Sequence, residues 1–535
     1  MDTVETPMGR SEAARAPSPA VPARALTGCR HRLWLETRGA GSGDGARDTV
    51  VPGPDPGAVL RKEAAALHRA RVRERLAALA PLTVIEPGPG AVGRTMAAIR
   101  GGAPRIWGAV LPPSGGRTGH SELLQRVRDG YVPILVVNHK VSDPGAGALT
   151  SPLDRWAPHE DATRRARTHR GDAMRLAHLT RMLQDTGHAS AALVGGVIGV
   201  DGEAVLCIDV APLLPGYDER FADRRAILAG EVETEPVRVA ECRRCPWWQD
   251  CEAQLTAVRD VGLVADQSAA RILRASGLET VDELVDYDGD PPAELAGSWR
   301  DLRAMARAWL GGQRLVRRRA RVTVRRADVE VDVDMESFQE DGAYLWGTWL
   351  HRDGVDLGYR PFVTWDPLPT RDEARSFAAF WSWLMDRRAE AHGAGKTFAA
   401  YCYSQQAENR WLLGSADRFA GEPGIPTRAA VEEFIGSSEW VDMYIAVGRS
   451  FLSLDGRGLK KVARSAGFAW RDPEAGGEAS MAWYLVASGR EPGHDADART
   501  AQRRRILEYN EDDVRATRVL REWMCSTAVD DLPLV

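Results

Sequence analysis

The strongest constraint on the fold is a cluster of three cysteines in the middle of the chain. They lie in the segment Cys242-Arg-Arg-Cys245-Pro-Trp-Trp-Gln-Asp-Cys251, at C-x2-C-x5-C spacing. Two thiolates separated by two residues can bind one metal centre from a single turn, and the third can bind it from another side. Cys29, far upstream, is the natural candidate for the fourth position. A centre held by these four thiolates would close the chain between Cys29 and Cys251 into one folded domain.

The spacing leaves the nature of this centre open. A 4Fe–4S cluster is the first interpretation, because zinc sites more often use two close pairs and Cys29 is a single residue. Zinc is the alternative, and four unrelated thiols are the third possibility. The chain has seven cysteines, and an odd count with a clustered trio favours an intracellular metal site over a disulfide framework.

Composition limits the classes of function. The net charge is −5 over 535 residues, so nucleic-acid binding would have to come from local patches rather than from a global field. No run of 18 apolar residues occurs, which excludes a membrane-spanning helix. Residues 1–25 are rich in Ala, Pro and Arg and lack the apolar region of a signal peptide, so they are predicted to be a disordered tail. These features predict a cytoplasmic protein.

The first half alternates helices and strands. Apolar spacing predicts a helix over residues 58–80, strands over 105–111 and 119–127, and a buried central strand over 131–141. A helix over 171–185 and two strands over 191–200 and 204–210 follow. This order predicts an α/β domain that ends in the cysteine cluster.

That order, with an acid on one strand and a lysine on the next, resembles the RecB-like nuclease domain of the PD-(D/E)XK type. The resemblance implies three site residues, which are His68 on the first helix, Glu122 as the first acid, and Lys140 as the catalytic lysine. The chain departs from the pattern at two places. It has Asn138 in place of the second acid, and on the following helix it has Arg175 and Leu179 in place of the usual Gln and Tyr. The alternative is a domain of this fold that binds nucleic acid or supports structure without cutting.

A connecting region follows the cysteines. Residues 265–284 resemble a helix-hairpin-helix element, with its turn at residues 277–280; a small packing domain is the alternative. A basic stripe comes next, and it is either a solvated face or a track for a phosphate backbone. Its members are Arg314, Arg317, Arg318, Arg319, Arg321, Arg325 and Arg326.

A second set of acids begins at residue 328. Valines alternate with acids over residues 329–334, which predicts a half-buried strand that runs into Asp334-Met-Glu336. Two acids separated by one residue on a strand share a face, and a divalent ion would relieve their repulsion. Glu408 opens the helix after a later strand. Tyr509 and Asp513 share one face of the last helix.

This ordered set resembles the DEDD exonucleases of the ribonuclease H-like fold, in their tyrosine branch. The whole chain after residue 25 resembles a family that joins a RecB-like nuclease half to a YprB-like ribonuclease H half. The resemblance implies two Mg2+ or Mn2+ ions bound by Asp334, Glu336, Glu408 and Asp513, with Tyr509 positioning or deprotonating the attacking water. Asp442 is a further candidate ligand or a helix cap.

Together these patterns predict an α/β protein with four segments: a tail (1–25), a RecB-like domain with an iron–sulfur cluster (26–255), a helical and basic linker (256–326), and a ribonuclease H-like exonuclease domain (327–535). The predicted function is a metal-dependent nuclease, a 3′–5′ exonuclease on single-stranded DNA in preference to RNA, acting in DNA repair. The alternative is a non-catalytic nucleic-acid-binding scaffold or helicase partner.

Overall fold

A computed structural model describes residues 20–39, 56–474 and 476–535 of the chain. Within these residues the fold is mixed α/β, with 16 α-helices and several sheets. It forms two compact units that divide between Glu252 and Ala253. None of the helices in the described part has the length and apolar character of a membrane span.

The first unit is built on one large sheet with strand order β2-β3-β4-β5-β10-β11-β7-β8, with β1 added in parallel to β4. A separate two-stranded ribbon joins β6 to β9. Its elements are β1 (Val21–Pro22), α1 (Arg30–Gly39), α2 (Pro56–Leu79), β2 (Thr83–Val84), α3 (Ala91–Arg100), β3 (Arg105–Ser114), β4 (Arg117–Val127), β5 (Gly130–Val136), β6 (Ser142–Pro144), β7 (Ala148–Ser151), β8 (His159–Asp161), β9 (Arg164–Ala166), α4 (Arg170–Asp185), β10 (Val194–Ile198), β11 (Val205–Asp209), α5 (Leu214–Leu228) and α6 (Trp248–Ala257), the last crossing the boundary.

Helices cover both faces of this sheet. On one face, α4 packs its apolar side on Leu124 and Leu135. On the other face, α2 packs Val72 and Leu76 on the opposite side of the same strands, against Leu123. Because successive side chains of a strand point to opposite faces, the two helices contact alternate residues of β4 and β5.

The predicted tail over residues 1–25 needs a correction at its end. Residues 1–19 lie outside the described residues, but residues 20–26 belong to the folded first unit. Val21 and Leu26 are fully buried in the core of the first unit. Arg224 donates a hydrogen bond from Nε to the carbonyl of Ala25 over 3.0 Å. The folded part therefore begins earlier than predicted, because these two apolar side chains fill space between the sheet and α5.

The second unit contains a five-stranded sheet of order β15-β14-β13-β16-β17. Strands β13, β16 and β17 run parallel, while β14 and β15 form an antiparallel meander on β13. Its elements are α7 (Gln267–Ala275), α8 (Val281–Asp286), α9 (Trp299–Leu310), β12 (Leu315–Arg317), β13 (Val329–Phe338), β14 (Gly342–Arg352), β15 (Val355–Val363), α10 (Asp372–Gly393), β16 (Phe398–Cys402), α11 (Gln406–Arg418), α12 (Arg428–Ile435), β17 (Trp440–Asp442), α13 (Met443–Ser450), β18 (Phe451–Ser453), α14 (Leu459–Ser465), α15 (Gly477–Ala487) and α16 (Ala496–Met524).

The central strand β13 is buried on both faces, not on one. Its valines pack against Phe377 and Phe380 of α10. The opposite face carries Glu330 and Asp332, both with no exposed surface. The expectation of a half-buried strand is therefore wrong at these acids, because the guanidinium of Arg521 on α16 bonds to both of them and lets the helix cover them.

Candidate active site

Three carboxylates converge where β13 meets α16. Asp334 and Glu336 come from β13 and Asp513 from α16, and one ligand oxygen of each lies within 4.8 Å of the others. The two-residue period of the strand puts Asp334 and Glu336 on the face that α16 covers. Within the described residues this is the one set of three or more His, Cys, Asp or Glu side chains that lie so close together.

Each of these acids is held by a hydrogen-bond donor from another part of the second unit. Asn510 donates from Nδ2 to Asp334 Oδ2 over 2.7 Å, and the Tyr359 hydroxyl fixes Asn510 by donating to its Oδ1 over 2.7 Å. Ser480 on α15 donates to Glu336 Oε2 over 2.7 Å. The carboxylates are thereby oriented before any ligand binds.

Asp513 is held by two donors. The indole Nε1 of Trp470 donates to Asp513 Oδ1 over 2.6 Å. The hydroxyl of Tyr509, one helical turn before Asp513, also hydrogen-bonds to its carboxylate. Burial, together with the charges of Asp513, Glu336 and Asp334, raises the pKa of Tyr509 well above its usual value. These surroundings favour the protonated hydroxyl, which is a hydrogen-bond donor, over the phenolate.

Glu408 lies next to the three acids on the first turn of α11. It is 4% exposed, and its Oε2 atom is buried without a hydrogen-bond partner. Burial raises the pKa of Glu408 to about 8, with further contributions from the charges of Asp442 and Glu336. An unpartnered oxygen of this kind is costly to bury and is suited to a cation.

Burial and the charges of neighbouring acids raise the pKa values of the other three acids. The pKa of Asp334 is raised well above its usual value by loss of water, then by the charges of Asp513, Glu336 and Glu408. Burial also raises the pKa of Glu336 to about 8, and that of Asp513 above its usual value. Four acids crowded in this way fit one or two divalent ions, which would remove the cost of ionising them.

Two further residues of this region are Asp442, which the sequence left as either a ligand or a helix cap, and Lys460, which the sequence did not single out. Asp442 caps α13, since its carboxylate accepts from the amides of Tyr444 and Ser404. Lys460 on α14 brings its ammonium 4.4 Å from the centre of the Tyr509 ring, beside the acids. No spacing in the sequence pointed to Lys460, Asn510, Ser480 or Trp470, because each comes from a different element without a recurring motif.

The three residues predicted for the first unit are not brought together. Glu122 on β4 shares a face with Leu124 and is covered by α4, whereas His68 lies one turn from Val72 on α2, which covers the other face. Lys140 is exposed beyond the end of β5. The alternation of residues along β4 predicts which face of the sheet carries Glu122. It does not predict which face the helix with His68 covers.

At Glu122 an arginine side chain occupies the position that a divalent metal ion would take. Arg175 Nη2 on α4 donates to both carboxylate oxygens, at 3.0 and 3.3 Å, and Glu122 is 8% exposed. Asn138, at the position of the second acid, is neutral and exposed. A carboxylate already paired with a guanidinium is less available to a divalent ion.

The four predicted cysteine ligands line one pocket of the first unit. Cys29 precedes α1, Cys242 lies within a short 3-10 turn (Ala240–Arg244), Cys245 directly follows that turn, and Cys251 lies on α6. The amide of Cys29 donates to Glu241 Oε2 over 3.0 Å, which ties the distant thiol to the turn. The amide of Val239 donates to Cys242 Sγ over 3.3 Å.

The thiols of this pocket are close enough to affect one another. Burial raises the pKa of Cys251 to about 11, and the neighbouring thiols add to this effect. Metal ligation requires thiolates, so a metal bound here would have to displace these protons. Four thiols around one pocket fit a metal centre.

Part of the linker's positive charge is neutralised, and the helix amides of its hairpin-like element are capped. Four arginines of the basic stripe are in ion pairs: Arg314, Arg317, Arg318 and Arg326. In the hairpin-like element, the carboxylate of Asp266 accepts from the first amides of α7, and Thr280 with Glu283 caps α8. The amides that could bind a phosphate are thus occupied by the chain's own side chains.

A family model of the RNase_H superfamily matches residues 421–525. The match includes Tyr509 and Asp513, and it ends one residue after α16. It supports a ribonuclease H-like second unit and a nuclease-type, nucleic-acid-binding function. No curated protein matches the chain.

Proposed function

We propose that the chain is a metal-dependent nuclease and that its second unit hydrolyses phosphodiester bonds. The observation that supports this most is the set of Asp334, Glu336 and Asp513, three buried or half-buried carboxylates within 4.8 Å of one another. Glu408, with its unpartnered oxygen, is the fourth ligand in this proposal. The RNase_H superfamily match reaches Asp513 and gives independent support.

The residues of the site have distinct roles in this mechanism. Bound Mg2+ or Mn2+ ions supply an activated water nucleophile and stabilise the departing oxygen. Asn510 and Ser480 hold the carboxylates of β13 in one orientation, so that no rearrangement is needed when the ions bind. Tyr509, which remains protonated, orients the nucleophile or the phosphate by donating a hydrogen bond.

The finer proposal is a 3′–5′ exonuclease of the DEDD tyrosine branch that acts on single-stranded DNA. The spacing of Tyr509 and Asp513 supports the tyrosine branch. The pairing of Glu122 with Arg175 supports a non-catalytic role for the first unit, in binding and positioning a strand.

We propose that the four cysteines hold a 4Fe–4S cluster, which fixes the start of the first unit to its end. Tetrahedral zinc with Zn–S bonds of about 2.3 Å would bring its four sulfurs to roughly 3.8 Å from one another. Zinc is the alternative, and the iron content and visible absorbance of anaerobically purified protein distinguish the two.

The test is cleavage of single-stranded DNA labelled at either end, in Mn2+ or Mg2+. We expect wild type to release mononucleotides from the 3′ end, and Asp334→Asn to lose this activity. Lys140→Met in the first unit is the matched control and should keep it. Loss of activity in Lys140→Met with retention in Asp334→Asn would contradict the assignment.

The second candidate is a non-catalytic nucleic-acid-binding scaffold or helicase partner. The ion pair between Glu122 and Arg175 favours it for the first unit. Absence of cleavage by wild type under all divalent metals, with retained binding of single strands, would favour it for the whole chain.

A further inference from the structure

A short segment of the second unit, Arg457 to Lys460, carries two positive charges, and that of Lys460 lies beside the acids. It leads from β18 into α14. The Lys460 ammonium lies 4.4 Å from the Tyr509 ring centre and 5.6 Å from that of Trp470. Both rings belong to side chains that hydrogen-bond Asp513. Lys460 is therefore fixed at the rim of the carboxylate set.

Arg457 is held in place by three features of its surroundings. Its guanidinium lies 4.5 Å from the centre of the Tyr444 ring and donates to the Tyr444 hydroxyl over 3.2 Å. The hydroxyl of Tyr403 donates to its carbonyl. A Cβ at residue 448 would lie 2.1 Å from Arg457 Nη1, so Gly448 provides the space in which the guanidinium lies.

The surroundings of Arg457 contain no acid that neutralises it. Its contacts are with two tyrosines, and in the part of the chain that the structure describes no ion pair involves Arg457. Ordered, exposed guanidinium groups on an aromatic ring are suited to planar contacts with phosphate oxygens. Tyrosine rings of this kind can also stack on unpaired bases.

Lys460 and Arg457 can reach neighbouring phosphates of one strand. They are three positions apart in sequence, which limits their Cα atoms to roughly 10 Å apart. Lys460 faces the acids that would bind the ions, while Arg457 lies on the side of Tyr403, next to the strand end that leads to Glu408.

We propose that this segment is the phosphate-binding element for the reacting strand, with Lys460 on the phosphate that is cut and Arg457 on the adjacent phosphate. The inference rests on the proposed nuclease function and assigns its substrate contacts. Lys460 is then a catalytic residue that stabilises the charge on the scissile phosphate. Arg457 is a binding residue that favours a strand of at least two phosphates.

Two substrates of different length separate these roles. Thymidine 5′-(p-nitrophenyl phosphate) offers one phosphodiester, and 5′-labelled pentathymidylate offers several. We expect Lys460→Met to lower kcat about 100-fold on both. Arg457→Met should raise KM for pentathymidylate about tenfold more than KM for the ester. Gly448→Ala, which displaces the guanidinium without removing it, should act in the same direction as Arg457→Met.

Arg449→Met is the matched control, because Arg449 is an exposed arginine on the neighbouring helix α13. It should leave both substrates unaffected. Equal loss in Arg449→Met and Arg457→Met would overturn the inference, since it would show a general effect of surface charge. Unchanged kcat in Lys460→Met would overturn it too.

Metal binding gives a readout that does not depend on turnover. Tb3+ luminescence sensitised by Trp470 reports occupancy of the acids, because the Trp470 indole contacts Asp513. We expect Lys460→Met to bind Tb3+ as tightly as wild type or more tightly, while cleavage falls. Lost Tb3+ binding would overturn the inference, since Lys460 would then act by positioning the acids.

Failure of the proposed function can be distinguished from failure of this inference. If wild type cleaves neither substrate, the nuclease proposal fails, and binding of pentathymidylate in Ca2+ is measured by fluorescence anisotropy at several salt concentrations. A logarithmic salt slope reduced by about 0.7 in Arg457→Met supports the phosphate contact. An unchanged slope and affinity would overturn it.

Discussion

Replacing Glu408 by glutamine should stabilise the metal-free protein, by an amount that grows with pH. The pKa of Glu408 is raised from 4.5 to about 8, chiefly by burial. The folded chain therefore binds more protons than the unfolded chain between these values, and stability falls as pH rises through this window. Below pH 4.5 the carboxyl is protonated in both states and carries no penalty.

The size of the effect follows from this difference in pKa. At about 1.36 kcal/mol per pH unit, the penalty is about 1.4 kcal/mol at pH 5.5, about 3.4 kcal/mol at pH 7 and close to 5 kcal/mol above pH 8. Glutamine keeps the shape and has no charge to lose. For a unit of this size, about 3 kcal/mol corresponds to a melting-temperature increase of roughly 5–10 °C.

The assay is differential scanning calorimetry in EDTA at pH 5.5, 7 and 8.5. The control is Glu433→Gln, which changes an exposed acid on α12 and should leave the transition within about 0.5 kcal/mol at every pH. Mg2+ should then raise the melting temperature of wild type more than that of Glu408→Gln, because the variant lacks one ligand. A gain that is absent, or constant across pH, would refute the reasoning.

Three other changes test parts of the site and its supports. Arg521→Met should destabilise the second unit by about 3–5 kcal/mol in urea unfolding, because it leaves the buried Asp332 without its cation and removes one of the two guanidinium partners of Glu330. Gly347→Ala should lower kcat at least about tenfold with Tb3+ binding weakened, because its Cβ would lie 1.6 Å from Asn510 Oδ1 and displace the amide that holds Asp334. Cys29→Ser should lower the iron content and the brown colour of anaerobically purified protein, whereas Cys525→Ser, at an exposed thiol, should not.

Sequence reasoning predicted the acids of the site better than their supports. The two-residue period put Asp334 and Glu336 on one face, and the four-residue spacing put Tyr509 beside Asp513. These patterns are local, so one sequence suffices to find them. Trp470 and Ser480, which orient the acids, come from separate elements, and their roles depend on contacts that only the folded chain reveals.

The same limit explains the error on β13. Alternating valines and acids are typical of a strand with one solvated face, and the pattern itself is real. Arg521 changes its meaning, because a guanidinium bonded to Glu330 and Asp332 makes a charged face that can be buried under α16. Long-range pairing of this kind leaves no periodic signal, since the partner is a single residue on a distant helix.

The two acid sites of the chain differ in how their charge is balanced. Glu122 of the first unit has a guanidinium on both of its oxygens, so that site is complete without a ligand. In the second unit, Asp334, Glu336 and Asp513 lie beside the ammonium of Lys460, and Glu408 adds a fourth acid to the site. Burial, and then the charges of neighbouring acids, raises the pKa values of Asp334, Glu336 and Glu408 in spite of that cation. Neutralising the excess negative charge requires protons or divalent ions, and at neutral pH ions would do so while leaving the carboxylates available as ligands. This difference in charge balance is the physical reason for assigning the chemistry to the second unit and a binding role to the first.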